Sequence, residues 1–299
     1  MTGIEVAHAP HIAVTADPWP GAVAVYKSSG QDGFTGAATL ENAAVIGETE
    51  GALARAGPGL WDRGPVLRVR LFGGALSAVT EADLLNGKNI AAIGSGLDDF
   101  WEVFQFRDAA LVAPSTYELS MRLRGQLGTD ALIPESWPAG SRFVLLNGAL
   151  RQPDLTVSER GLERSWRIGP AQMPVEDSVF VAERRAFDGA GLRPYAPAHL
   201  RSVPDGMEGD LFTWIRRTRI DGDSWAGFDV PLGEGAESYL VRVIHNGVNV
   251  REIVVETPAW AYGAAERAAD RITGSFAVEV AQISDRYGPG PFRRIEING

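Results

Sequence analysis

The chain is 299 residues long, with 28 basic and 38 acidic side chains, a formal net charge of −10 and no cysteine. Without cysteine there is no disulfide framework, thiolate metal site or cysteine nucleophile. The acidic balance opposes general nucleic-acid binding, which needs a basic field, and no apolar run approaches the ~20 residues of a membrane span. Glycine (35) and proline (18) punctuate the chain too often for long helices, which favours many short strands.

Residues 1–20 form a polar lead-in segment, with Pro10, Pro18 and Pro20 around Trp19. It has neither the basic n-region nor the apolar h-region of a secretory signal. A β-rich domain is expected over 21–193. Its strands are read at 21–28, 66–72, 90–93, 100–106, 117–123, 142–146, 165–168 and 178–186, with a β subdomain at 66–146. The alanine content of 43–56 would suit a helix, but Gly47 and Gly51 interrupt it at ~1 kcal/mol each, so it reads as strand or irregular. In 100–106, Phe100, Glu102, Phe104 and Phe106 share one face and Trp101, Val103 and Gln105 the other. Two mostly apolar faces predict burial on both sides. Arg193-Pro-Tyr-Ala-Pro197 is a stiff joint, and 195–299 reads as a β-sandwich domain with strands at 211–220, 237–244, 248–256, 276–283 and 292–297. Asn246-Gly247 between two apolar runs is a hairpin signal, and 259–271 suits one or two helical turns.

Chemistry-bearing residues are sparse. Asp98, Asp99 and Glu102 cluster beside Trp101, and a glycosidase needs two carboxylates and a sugar-stacking aromatic. The same residues equally describe an acidic turn capping a buried strand. His8 and His11 lack a third ligand for zinc, and His199 and His245 sit near turns, where solvent-facing or structural roles suffice. Ile90–Gly96 opens like a dinucleotide loop, but the third glycine position holds Asp99, whose charge would repel a pyrophosphate. Asp221-Gly222-Asp223 is a turn lacking the remaining ligands of a calcium loop. No metal, cofactor or catalytic residue is therefore assigned, and the chain is expected not to be an enzyme. Trp225, Trp260, Arg217 and Arg219 are the candidate surface contacts. Tryptophans near loops bind sugars or proteins when exposed, and cover a core edge otherwise.

Several ordered segments resemble one family. Tyr195-Ala-Pro-Ala-His-Leu200, Asp210-Leu-Phe-Thr-Trp-Ile-Arg-Arg-Thr-Arg219, Val230-Pro-Leu-Gly-Glu234 and Val280-Ala-Gln-Ile-Ser284 follow one another in the second domain. Trp19–Tyr26, Gly73–Ser77, Glu102–Phe106, Ala110–Val112, Leu123–Thr129 and Pro138–Leu145 do so in the first. Together they resemble the C-terminal part of tail-tip (host-specificity, or baseplate hub) proteins of siphophage-like tails, most closely those of alphaproteobacterial gene transfer agents. The resemblance implies an all-β chain: a hub-type region followed by a fibronectin type III-like sandwich with Trp214 as its buried strand-B tryptophan. It implies a scaffolding part of the tail tip, assembled in the bacterial cytoplasm with other tail and baseplate proteins, oligomeric in the particle, and touching a host polysaccharide or receptor. It further implies either a fragment of a longer protein or a separate short product. The rival from another class is a carbohydrate-active enzyme or its sugar-binding module, using Asp98, Asp99 and Trp101.

Overall fold

Short apolar runs cut by glycine and proline become strands in a computed structural model of the chain, which describes residues 5–96, 100–204, 206, 209–220 and 230–298. The chain divides into two units, Met1–Gly191 and Leu192–Gly299.

The first unit contains β1 (Val23–Ser28), β2 (Thr35–Leu40), β3 (Ile46–Thr49), β4 (Leu53–Ala54), β5 (Trp61–Asp62) and β6 (Leu67–Leu71). After the short helix α1 (Glu81–Leu85) come β7 (Ile90–Gly94), β8 (Trp101–Ala113), β9 (Thr116–Gln126), β10 (Ser136–Trp137), β11 (Arg142–Leu145), β12 (Arg164–Pro170) and β13 (Val181–Arg185). Strands β9-β6-β3-β11-β7-β8 pair antiparallel in that order. β8 pairs back onto β9, closing the sheet into a six-stranded barrel, and β5 adds alongside β9. Closure leaves no long sheet edge to protect.

The alternation in β6, Leu67-Arg-Val-Arg-Leu71, places three buried apolar residues inside, and sends Arg68 and Arg70 out. Phe104, Phe106 and Phe143 meet at the barrel centre, with ring centroids 6.2–6.4 Å apart. Gly47, which breaks the helical reading of 43–56, is needed for the barrel. A Cβ there would sit 2.5 Å from the carbonyl oxygen of Arg70 on β6. The expected burial of both faces of 100–106 holds for Glu102, Phe104, Gln105 and Phe106, whereas Phe100 is 57% exposed ahead of β8. A second sheet, β13-β12-β1-β2, packs Val25, Leu40, Leu155 and Trp166 together. The barrel is thus a sequence insertion between the halves of this sheet, after β2 and before β12. Thr35–Leu40 carries little apolar signal and gains its strand character from pairing with β1.

The second unit contains β14 (Ala198–Pro204), β15 (Asp210–Ile215), β16 (Tyr239–His245), β17 (Val248–Val255) and β18 (Ala259–Tyr262). The helix α2 (Ala264–Ala269) leads to β19 (Phe276–Ser284), β20 (Gly288–Pro289) and β21 (Arg293–Ile297). One sheet runs β14-β15-β18; the other runs β17-β16-β19, with β20 and β21 both on β19. Their shared core holds Phe212, Trp214, Tyr239, Val241, Val243, Val278 and Val280. This is a fibronectin type III-like sandwich, and the described residues are nearly all β apart from short helices. Trp214 is 4% exposed and meets Tyr239 edge-on at 5.1 Å. Asn246 and Gly247 take the two left-handed positions (φ 52° and 77°) of the two-residue hairpin turn.

Two stretches differ from their sequence reading. The strand at 211–220 stops at Ile215. Beyond it, Arg216 donates to the carbonyls of Val230 and Pro231, and Thr218 closes a turn on Ile220. The helical turns read over 259–271 begin only at Ala264, because Ala259–Tyr262 pairs with β15.

Truncating either core centre should be costly. Phe104→Ala and Trp214→Ala are each expected to lose ~3–5 kcal/mol in urea unfolding of the full chain followed by circular dichroism. Acid should also weaken the first unit. Lys27 on β1 lies 2.7 Å from Glu159, and that contact, with the Thr156 backbone N–H, lowers the Glu159 carboxyl from its ordinary 4.5 to about 2. A depressed carboxyl contributes stability above its unfolded pKa and loses it as pH falls through the folded one. The measurable outcome is a stability decline between pH 4.5 and about 2 that becomes shallower in Lys27→Met.

Candidate functional site

The most unusual chemistry lies at one end of the barrel. Along β9, Tyr117 and Leu119 are buried, then Met121 adopts a left-handed conformation (φ 51°), and Arg122 and Arg124 take the buried positions after it. Their side chains are 1% and 0% exposed. Arg124 makes a two-pronged contact with Glu102 on β8, Nε to Oε1 at 2.6 Å and Nη2 to Oε2 at 2.7 Å. Its Nη1 donates to the Ala54 carbonyl and to Asp62, at 2.9 and 3.2 Å. Arg122 donates to Asp62 at 3.0 Å and to the carbonyls of Leu119 and Pro65. Trp137 Nε1 and the Gly125 N–H complete the partners of Glu102, at 2.8 and 3.3 Å. Gly125 (φ +62°) cannot carry a side chain, because a Cβ would fall 2.6 Å from the Asp130 Cα.

Two guanidinium groups and two carboxylates therefore balance to zero charge. Burial pushes the Asp62 carboxyl up, but its hydrogen bonds from Arg122, Gly64 and Arg124 outweigh this and hold it below the ordinary range. Burial likewise pushes Arg124 down, and Glu102 and Asp62 more than restore it. Both oxygens of Glu102 are occupied and the residue is 0% exposed, so it cannot reach a sugar as a general acid. The cluster is a polar plug that fastens β4, β5, β8, β9 and β10 to one another.

The other candidates fall as follows. Asp98, Asp99, Trp225 and the turn Asp221-Gly222-Asp223 lie outside the described residues. Trp101 packs over Gly94, where an added Cβ would lie 2.7 Å from its ring. Trp260 is half-buried and stacks against Phe212 and Tyr262, at 5.9 and 5.0 Å between centroids. Arg217 lies over the Tyr195 ring at 5.1 Å and donates to the Ala196 carbonyl. Arg219 pairs with Glu234 at 2.8 Å, their side chains 14% and 3% exposed. Trp260, Arg217 and Arg219 are thus engaged in contacts within the second unit. His8 Nε2 lies 2.7 Å from the Leu155 carbonyl, and buried His245 has its Nδ1 3.1 Å from that of Ser275, so both are structural. An open groove of about 710 Å3 beside α1 is lined by Ser77–Thr80, Asp83, Gly87–Ile90 and Leu145–Asn147. Its Lys88 is paired with Asp83 at 2.8 Å.

Sequence reasoning missed Arg122, Arg124 and Asp62. The available signal was a pair of arginines at alternate positions, Arg122 and Arg124, in a strand beside the largely apolar run 100–106 with its one glutamate.

Residues 44–144 match the family model described as Rcc01698-like, C-terminal. That segment starts just before β3 and ends inside β11, so it is the barrel with its polar plug. It is about a third of the chain. No curated protein matches. Among solved structures, the chain is similar to domains d3–d4 of the rat CD45 extracellular region, with 10% identity over 52% of this chain and 72% of that one, and a TM-score of 0.28. The FN1–FN3 domains of chicken CNTN1 give 17% identity over 84% and 65%, with a TM-score of 0.27. A three-domain segment of titin gives 10% identity over 92% and 74%, with a TM-score of 0.25.

Removing Glu102 alone should be far worse than replacing the Glu102–Arg124 pair together. Glu102→Ala leaves Arg124 buried against a cavity and is expected to cost ~3–5 kcal/mol. Glu102→Leu combined with Arg124→Met should recover much of that loss in the same urea titration, because the pair carries little net stability over apolar packing.

Proposed function

We propose that the chain is a non-enzymatic structural component of the tail tip of a phage-like particle of the gene-transfer-agent kind, scaffolding the tip and contributing to host-surface attachment. The observation that carries this reading is the coincidence of the 44–144 family match with one complete folding element, the closed barrel. The ordered motifs on both sides of it, from Trp19 to Ser284, extend the same resemblance through the second unit. Rigid β-modules suit the role because they present loops and faces on a frame that does not yield. Repetition around a tail axis adds avidity to weak surface contacts. Burial of Glu102 beneath Arg124 and Trp137 takes one of the three clustered carboxylates away from carbohydrate chemistry.

The reading is tested in a producing strain carrying an epitope-tagged copy of the chain. Particles purified by density should contain it, immunogold should decorate the tail end, and deletion should reduce gene transfer or adsorption to host cells. Absence from purified particles would overturn it. Purified chain should show no turnover of capsular polysaccharide, peptidoglycan or simple esters. Turnover abolished by Asp99→Asn would establish the carbohydrate-active rival instead.

A further inference from the structure

The two outward faces of the second unit differ in how their charges are paired. On the side of β16, β17, β19 and β21, register aligns one charged row, Glu252, Arg242, Glu279 and Arg294, beside an apolar row of Val254, Leu240 and Ala281. Arg242 Nε is 2.6 Å from Glu252 and Arg294 Nη1 is 2.9 Å from Glu279. Alternating charges across neighbouring strands are what a solvated antiparallel face carries.

The three-stranded side has no such paired row among its described residues. Phe212 and Trp214 point into the core, which leaves Leu211, Thr213 and Ile215 of β15 outside. Val203, Leu211 and Ala261 form one cross-strand row, and Arg201, Thr213 and Ala259 the next. Leu211 is 40% exposed, and Val203 and Ile215 are each 51% exposed. The face is about 14 Å across its three strands and ~20 Å along them, on the order of 300 Å2, a size at which exposed apolar patches are often functional. Among the described residues its one charge is Arg201, and none of them pairs with that guanidinium.

We propose that this face is the docking site for a different protein, one that lays an apolar surface over Val203, Leu211 and Ile215 and sets a carboxylate against Arg201. A second copy of the chain fits poorly. A two-fold pairing would place two Arg201 side chains in one small apolar contact to which the described residues of the face bring no carboxylate, between chains that each carry −10. A partner carboxylate instead turns the desolvated guanidinium into a two-pronged, charge-assisted contact, and supplies register that the flat apolar rows lack. The proposal extends the tail-tip reading by giving the chemistry of a neighbouring component, and rests on that reading only for the neighbour's identity.

The test is photocrosslinking of the full chain in producing cells. A benzophenone amino acid replaces Val203, Leu211 or Ile215, with position 252 on the charged face as control, and adducts are mapped by peptide mass spectrometry. The expected result is one shared heteromeric adduct from the three apolar-face positions and not from 252. The mapped partner segment should be apolar with an Asp or Glu. Arg201→Glu, a surface change that leaves the circular dichroism unaltered, should reduce the adduct by more than about tenfold, and changing the mapped carboxylate to Lys should restore it. An adduct with a second copy, an equal adduct from 252, a partner segment without a carboxylate, indifference to Arg201→Glu, or no adduct would each overturn the proposal. If the mapped partner is no part of a tail, the docking face stands and the tail-tip reading falls. If the chain is in the particle tail but crosslinks only through other faces, the reverse holds.

Discussion

Arg122 and Arg124 bring two full positive charges into the interior of a small barrel, and every nearby element is arranged around neutralising them. Transfer of each ion from water costs several kcal/mol even after relaxation, so the compensation must be geometrically complete. It is drawn from distant parts of the sequence: Ala54 and Asp62 from one side, Glu102 from β8, and Trp137 from β10. Strands as short as β4, β5 and β10 would have little reason to stay ordered by pairing alone. Their carbonyls, carboxylate and indole N–H are required by the arginines, and that requirement fixes them. A one-residue slip would turn these side chains out of the barrel, and the two-pronged arginine–carboxylate geometry adds to the register that burial already specifies.

How much of this was legible in the sequence depends on whether the signal was local. The Leu67–Leu71 alternation, the apolar run of Phe276–Ser284 and the Asn246-Gly247 turn each specify their own conformation, and the strands appear where those patterns put them. Thr35–Leu40 and Ala198–Pro204 do not, since small or mixed residues become strands there only through their neighbours. Barrel closure is a property of pairing order and leaves no mark in any single segment. The site was illegible for a related reason. Glu102 looked like an acidic side chain beside Asp98 and Asp99, and what decides its role is an arginine 22 positions later in the chain. Trp260 read as a loop tryptophan because its strand, four residues long, is shorter than the pattern that announces one.

The two units also solve the problem of sheet surfaces in opposite ways. The first closes its main sheet on itself, so that its strands need neither a covering layer nor guarded edges. The second keeps two open sheets face to face and must dress two outer surfaces. The ion pairs on β16, β17, β19 and β21 give one of them a surface at ease in water.

The barrel's position as an insertion sets an order of events during synthesis. β1 pairs with both β2 and β12, and the residues of the whole barrel lie between those two partners. β3, in turn, needs β11 near the far end of the inserted segment. At ribosomal speeds of about 5–20 residues per second, many seconds pass between the appearance of β1 and that of its second partner. The last barrel strand, β11, is made shortly before β12, so all the barrel strands are present while the β1–β2 hairpin still has one side open. The β13-β12-β1-β2 sheet can therefore be completed only after every strand of the barrel has been made.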